Sequence, residues 1–409
     1  MATQRKAEPR RRPISREEAL ARQERRQRRQ EREQESRELA RGPIDLPFCL
    51  LVLLLTAIGL VMLLSASFPS AYYETKNHDP TYYFVRQSVF AIMGIAAMFF
   101  IGKINYQRFR GLARPLLYVS IFLLLVVLVP GIGIMRNNAR RWLGIGELLT
   151  FQPSEIAKVA IILYFSDSIS KKKDKMRTTR FGVMPYAVWL LVTGGLVAKE
   201  PHLSGAILIM GTGAVLMLVG GINWAWVFGA VGAAAAGLYV ILFVIGYNTS
   251  RITYWLNPWE DAADKGYQLS QSLISIGSGG LLGVGLGKSR QKFLYLPEEH
   301  NDFIFAIVCE ELGLIGATII MLLFAALILR GYWIALHARD RFGSLLAVGV
   351  TTLIAMQTFL NIGVVTGLLP TTGISLPFFS YGGTALSIQL AEMGIVLSVS
   401  RQMKPTKAG

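Results

Sequence analysis

The sequence predicts an all-α integral membrane protein that crosses the bilayer about ten times. Of its 409 residues, 52% are hydrophobic and only 17% are charged, a composition too apolar for a water-soluble protein of this size. Uncharged runs of about 20 residues recur along the chain, and each is long enough to cross ~30 Å of hydrocarbon as a helix. Hydrocarbon offers backbone groups no partner but each other, so these runs are expected to be helical.

The predicted spans divide the chain into three parts. Residues 1–43 form a basic arm, residues 44–402 a ten-helix transmembrane domain and residues 403–409 a short tail. The arm carries 14 Lys or Arg against 8 Glu and almost no large apolar residue, so we expect it to be disordered. The runs lie at 46–67, 83–102, 115–135, 156–169, 181–198, 203–221, 223–246, 302–329, 343–366 and 381–400.

The distribution of basic residues predicts that both termini are cytoplasmic. Lys and Arg concentrate in the loops that would then face the cytoplasm, as the positive-inside rule requires. The loop 136–151 departs from the rule, because Arg136, Arg140 and Arg141 would lie outside, where they could serve a ligand. The net charge of +16 is explained by contact with anionic membrane lipids, and we expect no nucleic-acid partner.

The longest predicted connection, residues 247–301, joins the seventh and eighth spans on the outer side. In it Leu269, Leu273 and Ile276 recur at helical spacing, which predicts an amphipathic helix on the membrane surface. The glycine-rich stretch that follows is not a phosphate loop, because Leu282 stands where that motif requires glycine. Flexible or close-packed backbone explains these glycines better.

Ionisable residues gather where this loop meets the eighth span. Glu298, Glu299, His300 and Asp302 stand together at a predicted helix start. Asn301 or Asp302 could simply cap the helix, but capping does not require so many ionisable groups, so Asp302 is a functional candidate.

Deeper in the eighth span, Glu310 and Glu311 follow, while the fourth span carries Glu155 and Lys158. Charges at such depth are costly and are paired or line a water-filled cavity. We consider both a direct role and an ion pair that joins the two spans.

Three segments carry a resemblance to a known family. They are Gln152–Pro153–Ser154–Glu155, the stretch 291–305 and the helix-breaking stretch 366–383. Together with ten spans, they resemble the SEDS family (shape, elongation, division and sporulation) of bacterial cell-wall polymerases. The stretch 290–298 looks more like the FtsW-type division and sporulation members than the RodA-type members.

This resemblance implies a peptidoglycan glycosyltransferase that polymerises lipid II on the outer face of the bacterial cytoplasmic membrane during division or sporulation. Asp302 matches the family's essential aspartate and would be the general base. At the residue after Pro201 the family more often has aspartate, where this chain has His202. Further candidates for binding the lipid II pyrophosphate or sugars are Arg141, Trp142, Glu155, Lys158, Gln291, Lys292, Glu298, His300, Glu310 and Ser380.

The sequence specifies no cofactor with certainty. Asp302 with Glu298 or Glu299 could hold a divalent cation, Mg²⁺ or Mn²⁺, through water. The family resemblance implies a class B penicillin-binding protein transpeptidase as partner, beside other divisome proteins at the septum. Two alternatives remain open: a lipid II flippase, which the deep charges would suit, and a non-catalytic divisome scaffold.

Overall fold

The computed structural model describes residues 42–136, 139–145, 149–229 and 249–403, with isolated positions at 23, 27 and 232. The basic arm up to residue 41 and most of the predicted seventh span lie outside the described residues. Within them the chain is mostly helical, as predicted.

Eleven α-helices make up the described bundle, and their apolar runs coincide closely with the predicted spans. They are α1 (Leu46–Glu74), α2 (Tyr82–Lys103), α3 (Phe109–Leu128), α4 (Pro153–Lys172), α5 (Met184–Lys199), α6 (Leu203–Val219), α7 (Thr249–Leu256), α8 (Tyr267–Gly279), α9 (Ile304–Leu336), α10 (Arg341–Val365) and α11 (Thr384–Ser400).

Six helices in the described part of the chain are long and apolar enough to cross a membrane. Five of these crossings centre on α1, α2, α3, α9 and α10, and the sixth, Thr179–Lys199, contains α5. The apolar helices α6 and α11 are shorter. The chain is therefore a multi-pass membrane protein, and α4, at the predicted fourth span, is its most polar long helix because it carries charged residues inside the bundle.

Helix α10 lies at the centre of the bundle. Its apolar window is 72% buried, against 28% for α9, so α9 presents more of its surface to lipid. Helix α10 packs against α9, α4 and α6, and α2 packs along α11. Glycine permits the closest approach of α2 to α11, since a Cβ at Gly94 would lie 2.6 Å from a methyl carbon of Leu390.

A three-stranded antiparallel sheet, which the sequence did not predict, follows α3. Its strands β1 (Ile134–Arg136), β2 (Ala139–Ile145) and β3 (Leu149–Phe151) pair in the order β1-β2-β3. The predicted third span, 115–135, is therefore placed too far along the chain, because apolar Ile134 and Met135 belong to a strand. The sheet fixes the position of Arg141 on β2.

One end of the bundle carries the sheet, the long loop 257–303 and the start of α11; we call it the site end. At the opposite end, Asp45 caps α1 by accepting from Phe48 N at 3.0 Å and pairs with Arg330 at 2.7 Å. Arg110 there pairs with Asp340 at 3.0 Å. The basic loops of the chain thus lie opposite the site end.

Candidate active site

The long loop 257–303 fills a break in α9. Gly313 has φ +66°, which interrupts the helix and leaves amides without partners. Leu314 N donates to the Gly280 carbonyl at 2.9 Å, and Gly283 approaches so closely that a Cβ on Gly313 would lie 2.3 Å from its nitrogen. The glycines therefore serve close backbone packing, and loop carbonyls replace lost helix bonds.

Helix α8 supports this loop with its polar face. Ser272 donates to the Val365 carbonyl at 2.7 Å and Ser275 to the Ala306 carbonyl at 3.0 Å. Both serines are buried, while Leu273 and Ile276 are half-buried. The predicted helix is present as α8, and its small serines let it dock on α9 and α10.

Glu310 in α9 is held by the loop. Its carboxylate accepts hydrogen bonds from Ser275 Oγ at 3.1 Å, Ser289 Oγ at 2.5 Å and Arg290 N at 2.9 Å. Only 2% of Glu310 is exposed. With three donors, this carboxylate anchors the loop to α9.

Glu311 forms a buried ion pair with Lys292 at 3.0 Å and also accepts from Ser65 Oγ at 2.7 Å. Lys158 pairs with Glu155 on its own helix at 2.8 Å. The expected ion pair between the fourth and eighth spans is therefore wrong for the described residues, because Lys158 pairs within α4 and Glu311 pairs with Lys292 of the long loop.

Asp302 stands in a tight turn immediately before α9. The Glu298 carbonyl accepts from both Asn301 N and Phe303 N at 3.1 Å, with Glu298 itself in the left-handed region at φ +57°. The N-cap of α9 is Phe303, without a side-chain cap bond. Neither Asn301 nor Asp302 caps the helix, so capping does not explain this aspartate.

Contacts around Asp302 fix its backbone and leave its carboxylate accessible. Asn361 Nδ2 donates to the carbonyls of Asp302 at 2.7 Å and Ile374 at 2.6 Å. A Cβ on Gly373 would lie 2.9 Å from Asp302 Oδ2, so glycine leaves room for the carboxylate in its present position. Among the described residues none donates a hydrogen bond to the carboxylate in the structure, which leaves it available to a ligand.

The pKa of Asp302 is raised to about 7, first by burial and second by the negative charge of Glu298. The positive charge of Arg141 acts in the opposite direction, as does His300. A carboxyl that titrates near neutral pH is suited to accept a proton from a substrate and release it again.

Asp302 lines a central cavity of about 670 Å³ at the site end. Four of the predicted binding residues do not line it: Gln291, Lys292, Glu310 and Ser380. Ser380 instead donates to the Asn301 carbonyl at 2.7 Å and supports the turn. The predicted residues that the structure brings together around the cavity are Arg141, Trp142, Glu155, Lys158, Glu298, His300 and Asp302.

Arg141 extends from β2 over the end of α5. Its guanidinium donates to the backbone carbonyls of Glu200, at 3.2 Å, and Pro201. Its charge is felt by both Asp302 and Glu200. A cation held by carbonyls rather than by a carboxylate keeps its charge available for an anionic ligand.

Sequence reasoning missed Glu200, which is fully buried beside Arg141. Neither carboxyl oxygen has a hydrogen-bond partner among the described residues, and burial raises its pKa to about 8. Its position at the end of an apolar span was the available signal. Arg86, near the start of α2, also lines the cavity and was not predicted either.

His202 lies at the cavity wall as a neutral ring. Gln152 Nε2 donates to its Nδ1 at 2.9 Å, and burial, followed by the charges of Arg141 and Lys158, lowers its pKa to about 3. Because Nδ1 accepts, the proton of the neutral ring resides on Nε2. At the position after Pro201, where the family resemblance implies an aspartate, this chain therefore presents a neutral hydrogen-bond donor.

His300 belongs to an aromatic group at the mouth of the cavity. Its ring stacks on Tyr83 at 4.7 Å between centroids and approaches Tyr381 at 6.1 Å. Glu299 contacts its Nδ1 at 3.3 Å. The stacking orders the segment that leads into Asp302.

The carboxylates near Asp302 offer at most a partial cation site. No cluster of three or more His, Cys, Asp or Glu suited to a metal occurs in the part of the chain that the structure describes. Asn301 Nδ2 donates to one carboxylate oxygen of Glu298 at 2.6 Å. Two carboxylates fit a magnesium ion that takes its remaining ligands from water and substrate phosphates.

Comparison with known proteins gives consistent matches over nearly the whole described bundle. The family model described as "Cell cycle protein", covering FtsW, RodA and SpoVE, matches residues 46–405. The "Probable peptidoglycan glycosyltransferase FtsW" of Geobacter metallireducens is 42% identical over 88% of this chain and 96% of its own length. The "Stage V sporulation protein E" of Bacillus subtilis is 45% identical over 87% and 97%.

Solved structures agree with these sequence matches. A chain of a peptidoglycan synthase complex, described as coordinating polymerization and crosslinking, superposes with a TM-score of 0.74 at 28% identity, covering 88% of this chain and 98% of its own. The rod shape determining protein RodA of Thermus thermophilus gives 0.65 at 28% identity, covering 89% and 99%. Sequence identity is thus higher to the FtsW and sporulation relatives, at 42% and 45%, than to this RodA, at 28%.

Proposed function

The chain belongs to the cell cycle protein family of FtsW, RodA and SpoVE, and from this premise we infer that it is a peptidoglycan glycosyltransferase of the FtsW type. The inference combines family membership with one geometric observation. Asp302, with a pKa of about 7 and an unengaged carboxylate, faces a cavity that also carries fixed positive charge. Those are the two features a base-assisted displacement of an anionic leaving group requires.

The proposed substrate is lipid II, a lipid-linked disaccharide-pentapeptide pyrophosphate. A sugar hydroxyl of one unit attacks the anomeric carbon of another; the new C–O bond forms as the bond to the lipid pyrophosphate breaks. The hydroxyl proton passes to the Asp302 carboxylate, and the pyrophosphate leaves with the bonding electrons. Attack from the opposite face inverts the anomeric configuration, as in single-displacement glycoside chemistry.

Arg141 is the proposed stabiliser of the leaving pyrophosphate. Its guanidinium is held by two carbonyls rather than neutralised by a carboxylate. Its positive charge can therefore stabilise the negative charge that develops on the leaving pyrophosphate. Arg86 supplies a second guanidinium to the cavity, and Lys158 lies deeper, paired with Glu155. A divalent cation held through water by Asp302 and Glu298 would add further charge stabilisation when bound.

The transporter alternative loses part of its support. It rested on intramembrane Lys158, Glu310 and Glu311, and the two glutamates hold the long loop in the structure and do not line the central cavity. The pair Glu155–Lys158 does line the cavity, so a vesicle transport assay remains the direct comparison. Transport that requires Glu310 but not Asp302 would favour the flippase.

We further propose that the site end faces the outside and that the protein acts at the septum with a class B penicillin-binding protein transpeptidase. The opposite end carries the basic loops, which the positive-inside rule assigns to the cytoplasm. The structural neighbour belongs to a complex that couples polymerization to crosslinking, and crosslinking is a transpeptidase reaction. We also propose that other divisome proteins are partners and that the basic arm helps to recruit them.

Polymerisation of lipid II by the purified protein with its transpeptidase tests the proposed base. Asp302→Asn should reduce the rate by about 10²- to 10⁴-fold, because the amide cannot accept the proton. Asp264→Asn is the matched control, since Asp264 is an exposed aspartate on the same external loop that does not line the central cavity. A normal rate in the Asp302 variant would remove Asp302 as the base.

A further inference from the structure

A second cavity adjoins the central one at the site end. Its volume is about 430 Å³, within the range of roughly 300–1,000 Å³ typical of small-ligand sites. It lies under the external loop, between α7, α8 and the segment 371–373; we call it the side cavity. Its lining includes Tyr254, Trp255, Lys265, Gln268, Thr371 and Thr372.

Asp302 lies in the wall between the two cavities. Asp302 and Gly373 line both cavities. Because Gly373 has no Cβ, the carboxylate is not covered on that side. The proposed base is therefore accessible from two directions, as a reaction that joins two separate molecules requires.

The two cavities differ in chemistry. The central cavity carries Arg86, Arg141 and Lys158, which suits pyrophosphate. Among its described lining residues, the side cavity has one cation, Lys265, beside three aromatic side chains, two threonine hydroxyls and an amide. Aromatic faces and neutral hydrogen-bonding groups suit the C–H faces and hydroxyls of a sugar better than a phosphate.

The aromatic wall of the side cavity is fixed in place. Trp255 Nε1 donates to the Gly367 carbonyl at 2.9 Å, and Lys265 Nζ lies 5.6 Å from the Tyr254 ring centroid. Gln268 Nε2 reaches the Pro297 carbonyl at 3.4 Å, a long bond that can be exchanged for a ligand. A rigid aromatic wall costs little conformational entropy when a ligand binds.

We propose that the side cavity binds the saccharide of the acceptor, an N-acetylated amino-sugar chain, with its attacking hydroxyl directed at Asp302. This assignment rests on the proposed function and deepens it. The donor's pyrophosphate occupies the central cavity near Arg141. The acceptor oxygen bonds to the donor's anomeric carbon, its proton moves to Asp302, and the donor's pyrophosphate departs on the side of Arg141.

Binding can be measured without turnover. The probe is a lipid-free, peptide-free peptidoglycan tetrasaccharide, titrated into full-length Asp302→Asn protein and detected by saturation-transfer NMR. Trp255→Leu in that background should weaken binding roughly five- to tenfold, since it removes the aromatic face and leaves a smaller apolar side chain. Trp259→Leu is the matched control, because Trp259 is an exposed tryptophan of the same loop that lines no cavity.

Tyr254→Leu provides a second variant in case Trp255→Leu disturbs the fold, and a thermal melt identifies such a disturbance. The proposal is supported if both variants weaken binding while Trp259→Leu does not. It is overturned if the tetrasaccharide does not bind, or if both variants bind as tightly as the parent. It is equally overturned if Trp259→Leu loses as much affinity.

Failure of this proposal is separable from failure of the proposed function. If tetrasaccharide binding is absent while Asp302→Asn still abolishes polymerisation, the side cavity is not the acceptor site but the base assignment stands. If Asp302→Asn polymerises normally while Trp255→Leu weakens binding, the saccharide site stands without that base.

Discussion

The pH dependence of polymerisation reports directly on Asp302 and its neighbours. Burial and Glu298 raise the pKa of this carboxyl from 3.8 to about 7, which corresponds to about 4 kcal/mol in favour of the neutral form. A base must be ionised, so the rate should rise about tenfold between pH 6 and 8 and then level off.

Changing the neighbouring charges should move the midpoint of this profile in opposite directions. Glu298→Gln removes a negative charge, so the midpoint should fall by about one pH unit; burial, the larger cause, keeps it above the usual aspartate value. Arg141→Gln removes a positive charge and should raise the midpoint above pH 7. Arg140→Gln, on the same strand, is the matched control, because Arg140 is not among the causes of the Asp302 shift.

The assay is the initial rate of polymer formation from saturating lipid II between about pH 5.5 and 9. Midpoints are compared rather than absolute rates, because Arg141→Gln should also slow departure of the pyrophosphate. A profile whose midpoint stays fixed in both variants, or moves equally in Arg140→Gln, would refute the electrostatic reasoning.

Three further predictions concern the fold around the site. Lys292→Met leaves the carboxylate of Glu311 buried without its cation, so it should destabilise the protein by about 3–5 kcal/mol. Adding Glu311→Leu should restore much of the melting temperature. Failure to restore it would contradict a structural role for the Lys292–Glu311 pair. Gly313→Ala places a Cβ against the long loop 257–303 and should expose that loop to limited proteolysis. Gly195→Ala is the control, because a Cβ there meets nothing within 4 Å, and it should not increase proteolysis of the loop. Glu200→Gln should raise the melting temperature by a margin that grows from about pH 5 to 8, because wild-type stability falls as pH rises towards the raised pKa of Glu200; an equal margin at both pH values would count against it.

Local sequence patterns predicted the transmembrane architecture well. Apolar runs of sufficient length mark most helices of the bundle, since in hydrocarbon the backbone has no alternative to the helix. The family resemblance, carried by 152–155, 291–305 and 366–383, is confirmed, and the stretch 290–298 correctly indicated the FtsW type. The run 115–135 was misplaced, because apolar residues of a short strand continue the hydrophobic pattern of the helix before it.

The sequence by itself determined that the chain spans a membrane, where its ionisable residues lie along the chain, and which of them stands at a helix start. Only the tertiary structure decided which charges are available to a ligand. Glu310 and Lys292 are engaged by Ser289 and Glu311, whereas Asp302 has an accessible carboxylate because Gly373, far along the chain, leaves space beside it. The reason is physical: the free energy of a buried charge depends on which groups surround it, and those groups come from segments whose approach no local pattern encodes.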